Sequence, residues 1–503
     1  MNRPIQRVAI AAIVLVVALL ANATYLQVFK ADKLKSDSRN SRVLLDEYSR
    51  ERGVIVAADG TVLAESVPTD SKFKYLRKYP TAPRAFAPVT GYFSFVYRAD
   101  RGVEAAEDAV LNGNDDRLFT QRFMDMFSGR DPRGGNVVTT IDPKLQRTAY
   151  RELANGDCDG PCRGSVVALE PSTGKILAMA SSPSYDPNQI ATQDFNEAEQ
   201  AWRRMTADGA GSPLVNRATS ELYPPGSTFK VVSTAAALAN GQNPNTRLTA
   251  DARWKLPGSG AYLTNDSDST CPGSSGGTVT LTQAFEHSCN TAFAQLLTEK
   301  VPGDAGEKVA KFTSAAKQFG IGEDPAGIPM SVAKSSVGDI GEDLAALGQS
   351  AIGQRDVRTT VLSNAVIAAT VANGGVRMHP YVVDRLQTAD LRTINTTSPT
   401  AVNRPLTADQ ADTITGMMVD SEQNTSGAQS GIASKTGTAE HSDDAEAGDT
   451  PYAWYIGFSP SSNSRIAVAV LVENSGQGQN SYGGTVAAPI GRAVMNAYTG
   501  GAR

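Results

Sequence analysis

The sequence predicts an α+β protein: an antiparallel sheet flanked by helices, preceded by a small N-terminal domain and an N-terminal membrane helix. Three observations predict it. An unbroken apolar run from Val8 to Ala21 lies near the start, and apolar character resumes to Phe29. Strand-like runs open the second part of the chain (164–170, 176–180) and close it (454–458, 466–472), while helical patterns broken by glycines fill about 190–425. Such an order packs most simply with its first and last strands in one antiparallel sheet and helices on the faces. Finally, 503 residues exceed one ordinary core, so two domains plus appendages are expected.

The apolar segment follows Arg3 and Arg7. Counted to Phe29 it is long enough to span a bilayer. Counted to Ala21 it is a signal-peptide core, with Ala21-Asn22-Ala23 as the competing cleavage site. The resumed apolar character favours an uncleaved anchor. The expected division is a cytoplasmic tail 1–7, a transmembrane anchor 8–29, a small domain 30–163 and a catalytic domain 164–503. Either reading places the bulk of the chain outside the cytoplasm, and the uncleaved anchor would attach it to the cell membrane by a single pass.

Composition narrows the partners. A net charge of -5 gives no electrostatic footprint for nucleic acid. Cys158, Cys162, Cys271 and Cys289 have no histidines spaced to complete a zinc site, so no metal and no cofactor is expected. Four cysteines allow three pairings. Export makes disulfides available, and Cys158–Cys162 and Cys271–Cys289 are the expected bridges. The second would tether whatever Ser288-Cys289-Asn290 does.

Along the chain, residues 32–51 read as a polar stalk or first helix. Asp59-Gly60 between two β-branched runs signals a hairpin. Helical stretches follow near 103–111 and 117–127. Strand 136–142 leads to a helix over 143–154, capped by Asp142 with Pro143 at its first position. The strands 164–170 and 176–180 form a hairpin around Pro171–Lys175. Helices are expected at 191–206, 227–239, 279–299, 305–319, 342–347, 359–373 and 487–498, with a short strand at 431–435. The acidic run 443–449 reads as a solvated loop between two active-site strands, with a gating role open.

The chemistry centres on Tyr223-Pro224-Pro225-Gly226-Ser227-Thr228-Phe229-Lys230. Residues three apart share a helix face, so the Ser227 hydroxyl and Lys230 amine point the same way. Serine needs a neighbouring base to become a nucleophile, and a lysine desolvated in an apolar helix can be that base. Ser-x-x-Lys alone is weak. It recurs at Ser71/Lys74, Ser172/Lys175, Ser314/Lys317 and Ser331/Lys334. Its companions decide: Ser288-Cys289-Asn290, then Lys435-Thr436-Gly437-Thr438, the single Lys-Thr-Gly in the chain.

In that order the three elements resemble the signature of serine β-lactamases and penicillin-binding proteins. Further stretches also look like family landmarks: Arg52-Gly53-Val54-Ile55, Thr140-Ile141-Asp142, Gly348–Gln354, Ala372-Asn373-Gly374-Gly375 and Ala453–Phe458. The likeness covers essentially the whole chain and is strongest to class B penicillin-binding proteins of the actinobacterial penicillin-binding protein A group. It implies a penicillin-binding, β-lactamase-like transpeptidase fold and a peptidoglycan D,D-transpeptidase acting in cell-wall synthesis and cell division. By that resemblance Ser227 attacks a D-Ala-D-Ala stem peptide with Lys230 as base. Ser288 relays a proton, Asn290 holds the substrate amide, and Lys435 supplies charge. Thr436, Gly437 and Thr438 bind the substrate edge. The implied partners are stem peptides, β-lactam antibiotics, a SEDS-family membrane glycosyltransferase and division or elongation proteins.

Rival readings are weaker. A β-lactamase needs a deacylating base, and no convincing Glu-x-x-Leu-Asn element stands here. A D,D-carboxypeptidase, or a non-catalytic β-lactam-binding scaffold or receptor, is the remaining alternative. Gly273-Ser274-Ser275-Gly276-Gly277 fits Gly-x-Ser-x-Gly but lacks the strand and helix of a nucleophile elbow. His287, His379 and His441 read as structural.

Overall fold

The structure is a computed structural model describing residues 3–30, 48–71, 73–129, 131, 133–158, 161–207, 209–324, 328–439, 450–476 and 482–500. The acidic run 443–449, His441 and most of the stalk 32–51 lie outside these residues.

The N-terminal apolar run forms helix α1 (Arg3–Thr24), extended by a π-turn over Tyr25–Phe29. Arg3–Gln27 is long and apolar enough to cross a membrane, and none of it is buried among the described residues. The Asp59-Gly60 hairpin forms as expected, with Ile55 opposite Ala64 and Val56 opposite Val62. It belongs to a six-stranded sheet that holds a surprise. Its order is Thr393–Thr396, Val383–Gln387, Asn136–Thr139, Ile55–Val56, Val62–Pro68, Tyr75–Lys78. Two of its strands therefore come from far along the chain. The helical reading of 190–425 missed them because they are short, and Thr393–Thr396 is nearly all solvent-facing, leaving no apolar alternation.

The second sheet is the one expected. Helix α2 (Pro143–Ala154) starts at Asp142, whose carboxylate accepts the Leu145 N–H. Then come β1 (Gly164–Leu169) and β2 (Ile176–Ser182). The central helical section contributes α3 (Lys230–Ala239), α4 (Leu281–Glu286), α5 (Asn290–Gln295), α6 (Val361–Ala372) and α7 (Ala408–Gln423). The chain closes with β3 (Ala433–Ala439), β4 (Tyr452–Ser459), β5 (Ile466–Val472) and α8 (Ala487–Thr499). The five strands run β3-β4-β5-β1-β2, antiparallel throughout.

Side chains alternate across this sheet. Val166, Ala168, Val468 and Val470 face α2 and α8 on one side, while Val167, Leu169, Ala469 and Leu471 face α6 on the other. Burial on both faces explains why these strands read as continuous apolar runs rather than alternating ones. β3 ends the order with one sheet neighbour, and beyond it lie α7 and the Gly226–Phe229 turn.

Candidate active site

The site lies where the edge strand β3 meets the turn before α3. Gly226 adopts φ 53°, and Gly226–Phe229 form a 3₁₀ turn that runs into α3 at Lys230. The sequence predicts one helix from 227; the left-handed glycine tightens its first turn instead. Only glycine fits, because a β-carbon there would lie 2.6 Å from the Thr438 carbonyl oxygen. A 3₁₀ turn eclipses residues three apart, which stacks Ser227 over Lys230 more directly than an α-helix would. Ser227 is half-buried and Lys230 fully buried.

The Lys230 amine donates to Ser288 Oγ at 3.1 Å, the Ser288 carbonyl at 2.6 Å and Asn290 Oδ1 at 2.7 Å. The three oxygens around the amine all belong to the Ser288–Asn290 turn. The helix expected over 279–299 is interrupted there. Ser288 takes φ 58°, and the chain breaks into α4 and α5 around it. Asn290 donates its amide N–H to the Thr264 carbonyl at 3.0 Å, which turns Oδ1 towards Lys230. Cys289 between them is bonded to Cys271, and Cys158 to Cys162.

Lys435 enters from β3, fully buried, with its amine 3.0 Å from the Thr436 carbonyl. The two lysines share an aromatic floor: Lys230 stands 5.4 Å from the Phe293 ring centre and Lys435 6.0 Å from that of Phe285. Burial, then the neighbouring charge of Lys435, holds Lys230 well below the usual lysine range. Burial pushes Lys435 down to about 7, partly offset by Asp266. A neutral amine beside a serine is a competent base. Gly437 brings strand and turn together, since a β-carbon there would meet Thr228 Cγ2 at 2.9 Å and the Pro225 oxygen at 3.0 Å. Thr436 and Thr438 flank it, half-exposed.

The rival motifs go elsewhere. Lys74 and Lys334 form surface ion pairs with Asp131 and Asp324, Lys317 lies exposed on its helix, and Lys175 sits in the β1–β2 turn. Ser275 is in an exposed loop. His287 lies 3.8 Å from Glu286, part-exposed.

Three supports escaped the sequence reading. Trp454 Nε1 donates to the Pro224 carbonyl at 2.9 Å. Tyr223 donates to Glu473 at 2.8 Å, and Glu473 pairs with the buried Arg217 at 3.1 Å. Glu422, fully buried, pairs with Arg492 at 2.7 Å. Only Glu422 gave a signal: it falls on the apolar stripe Ala411, Ile414, Met418 of α7, where a carboxylate needs a partner.

A sheet edge facing the start of a lysine-bearing helix, with a Ser-x-Asn turn closing the gap, defines a serine acyltransferase of the penicillin-interacting class. Residues 164–496 match the model of the penicillin-binding protein transpeptidase domain, and 52–137 that of the penicillin-binding protein A dimerisation domain. The chain belongs to the penicillin-binding protein transpeptidase family. The peptidoglycan D,D-transpeptidase PbpA of Mycolicibacterium smegmatis is 54% identical over 501 residues, 99% of each chain. The protein of the same name from Mycobacterium tuberculosis H37Rv is 50% identical over the same coverage. The penicillin G acyl-enzyme complex of M. tuberculosis penicillin-binding protein A superposes with TM-score 0.84 at 49% identity, covering 90% of this chain and 100% of that one.

Proposed function

We propose that this chain is a membrane-anchored peptidoglycan D,D-transpeptidase, inhibited by penicillin through acylation of Ser227. The carrying observation is the fully buried Lys230 amine, one 3₁₀ turn from Ser227 and bonded to both Ser288 and Asn290. Neutral Lys230 takes the Ser227 proton as Oγ attacks the penultimate D-Ala carbonyl. The oxyanion sits between the backbone N–H groups of Ser227 and Thr438, preorganised donors of the kind that dominate acyl transfer. Lys230 returns the proton through Ser288 to the departing D-Ala amine. The amine of a second stem then attacks the ester, passes its proton back along the same path and releases Ser227 with the crosslink formed. Asn290 holds the substrate amide, Lys435 with Thr436 and Thr438 receives the terminal carboxylate, and Gly437 leaves room for the stem against β3.

Helix α1 supplies the anchor, and in this reading residues 1–7 lie in the cytoplasm and the catalytic domain outside it. In this reading the domains divide near 163, except that Val383–Gln387 and Thr393–Thr396 return to the sheet of the small one and α2 packs on the second sheet. A SEDS-family glycosyltransferase polymerises the glycan that this chain crosslinks, in company with division or elongation proteins.

The test is incubation with a D-Ala-terminated stem thioester, with and without an amine acceptor. The proposal expects the aminolysis product to dominate when acceptor is present. Hydrolysis alone at every acceptor concentration would make the chain a carboxypeptidase.

A further inference from the structure

Strand β3 carries Lys435 to Thr438, yet it is an edge strand, paired with β4 on one side only. An edge strand is free to shift outward unless something else holds it. Glu422, fully buried on α7, does so from the open side. Its Oε2 accepts the Ser434 hydroxyl at 2.5 Å and the Tyr455 hydroxyl at 3.1 Å. Its Oε1 accepts Arg492 Nε at 2.7 Å and the Gln429 N–H at 3.1 Å. One carboxylate thus joins α7, β3, β4 and α8. Ser434 immediately precedes Lys435, so the bond acts one residue from the site.

We propose that Glu422 is a positioning residue for acylation: through the Ser434 hydroxyl it fixes β3 against the Ser227 turn. A buried ion pair is poor evidence of stabilisation, since an apolar pair of equal volume often does as well. What the carboxylate adds is direction, with a donor from each neighbouring element at a fixed angle. Arg492 orients the carboxylate through its Nε, and its own Nη1 is bonded to the Ser426 carbonyl at 2.6 Å. The inference rests on reading Lys435–Thr438 as the substrate-binding strand.

The test compares Ser434→Ala, Tyr455→Phe and Ser227→Ala in the full-length protein in detergent, following acylation by fluorescent penicillin. Each of the first two removes one hydroxyl from the same carboxylate oxygen. Only Ser434 lies on the edge strand; Tyr455 lies on β4, held by neighbours on both sides. A small displacement of a reacting group costs of order ten- to a hundred-fold, so Ser434→Ala should slow acylation about ten-fold. The labelled fraction at saturation should stay at the wild-type level, and Tyr455→Phe should stay within about two-fold in rate. A merely structural role would lower the labelled fraction and leave the rate constant of the remaining protein intact. The proposal is overturned by a wild-type rate constant in Ser434→Ala, or by an equal loss in Tyr455→Phe. Persistent covalent labelling of Ser227→Ala would instead overturn the functional reading, whatever Ser434→Ala does.

Discussion

Trp454 on β4 donates its indole N–H to the carbonyl of Pro224 at 2.9 Å, joining the sheet directly to the turn that presents Ser227. Trp454 is fully buried, so no solvent can replace the bond. Trp454→Phe keeps most of the packing and leaves the carbonyl unpaired, a cost of about 1–3 kcal/mol. The expected outcome is a lowered melting temperature together with about ten-fold slower acylation by penicillin, because the turn loses its fixed point. A slower variant with unchanged stability would mean the carbonyl has found another donor.

Lys230 follows directly on the 3₁₀ turn that carries Ser227. Lys230→Met removes the base and keeps the apolar stem, so it should fold and still bind penicillin reversibly. Acylation should fall by about 10²–10⁴-fold, the range of a lost general base. Stopped-flow labelling measures it, and a loss under five-fold would remove Lys230 from the base role.

The low pKa of Lys435 has a thermodynamic signature. Its ordinary value is 10.5 and its folded value about 7. Between these the unfolded chain binds the extra proton, so stability rises with pH. The contribution is complete above 10.5, is lost as pH falls to about 7 and changes no further below that. Unfolding curves should therefore show a steeper gain above pH 7 in wild type than in Lys435→Met, by at most about 1.4 kcal/mol per pH unit. Parallel curves would place a charged Lys435 in the folded state throughout.

The Cys271–Cys289 bridge spans a sequence separation of 18 and ends inside the Ser288–Asn290 turn, where Ser288 holds φ 58°. Cys271→Ala/Cys289→Ala should cost about 3 kcal/mol through the freed unfolded chain. It should also slow acylation, since α5 loses the tether at the residue that caps it. The Cys158–Cys162 bridge spans a separation of only 4, in the loop after α2, and its double variant should acylate at the wild-type rate. Equal rates in both double variants would detach the first bridge from catalysis.

Much of this architecture was legible in the sequence because it depends on local patterns. The apolar runs of β1 and β5, the Asp142 cap and the Asp59-Gly60 hairpin each rest on a few adjacent residues. The Ser227, Ser288 and Lys435 elements could be picked out because their order and spacing carry a family signature. What escaped depends on contacts across long separations. Glu422 reaches Arg492 across 70 residues, and Arg217 reaches Glu473 across 256. No periodicity records such a pairing. The break at Ser288 was hidden by helix-forming neighbours on both sides, and the strands of 383–396 by their polarity and shortness.

The proposed function stands or falls on Ser227 as the acylated nucleophile. The most direct measurement is intact-protein and peptide mass spectrometry after incubation with penicillin, wild type against Ser227→Ala. One adduct is expected, on the peptide containing Ser227, and none on the variant. An adduct that persists in Ser227→Ala, or maps to Ser288 in the wild type, would contradict it.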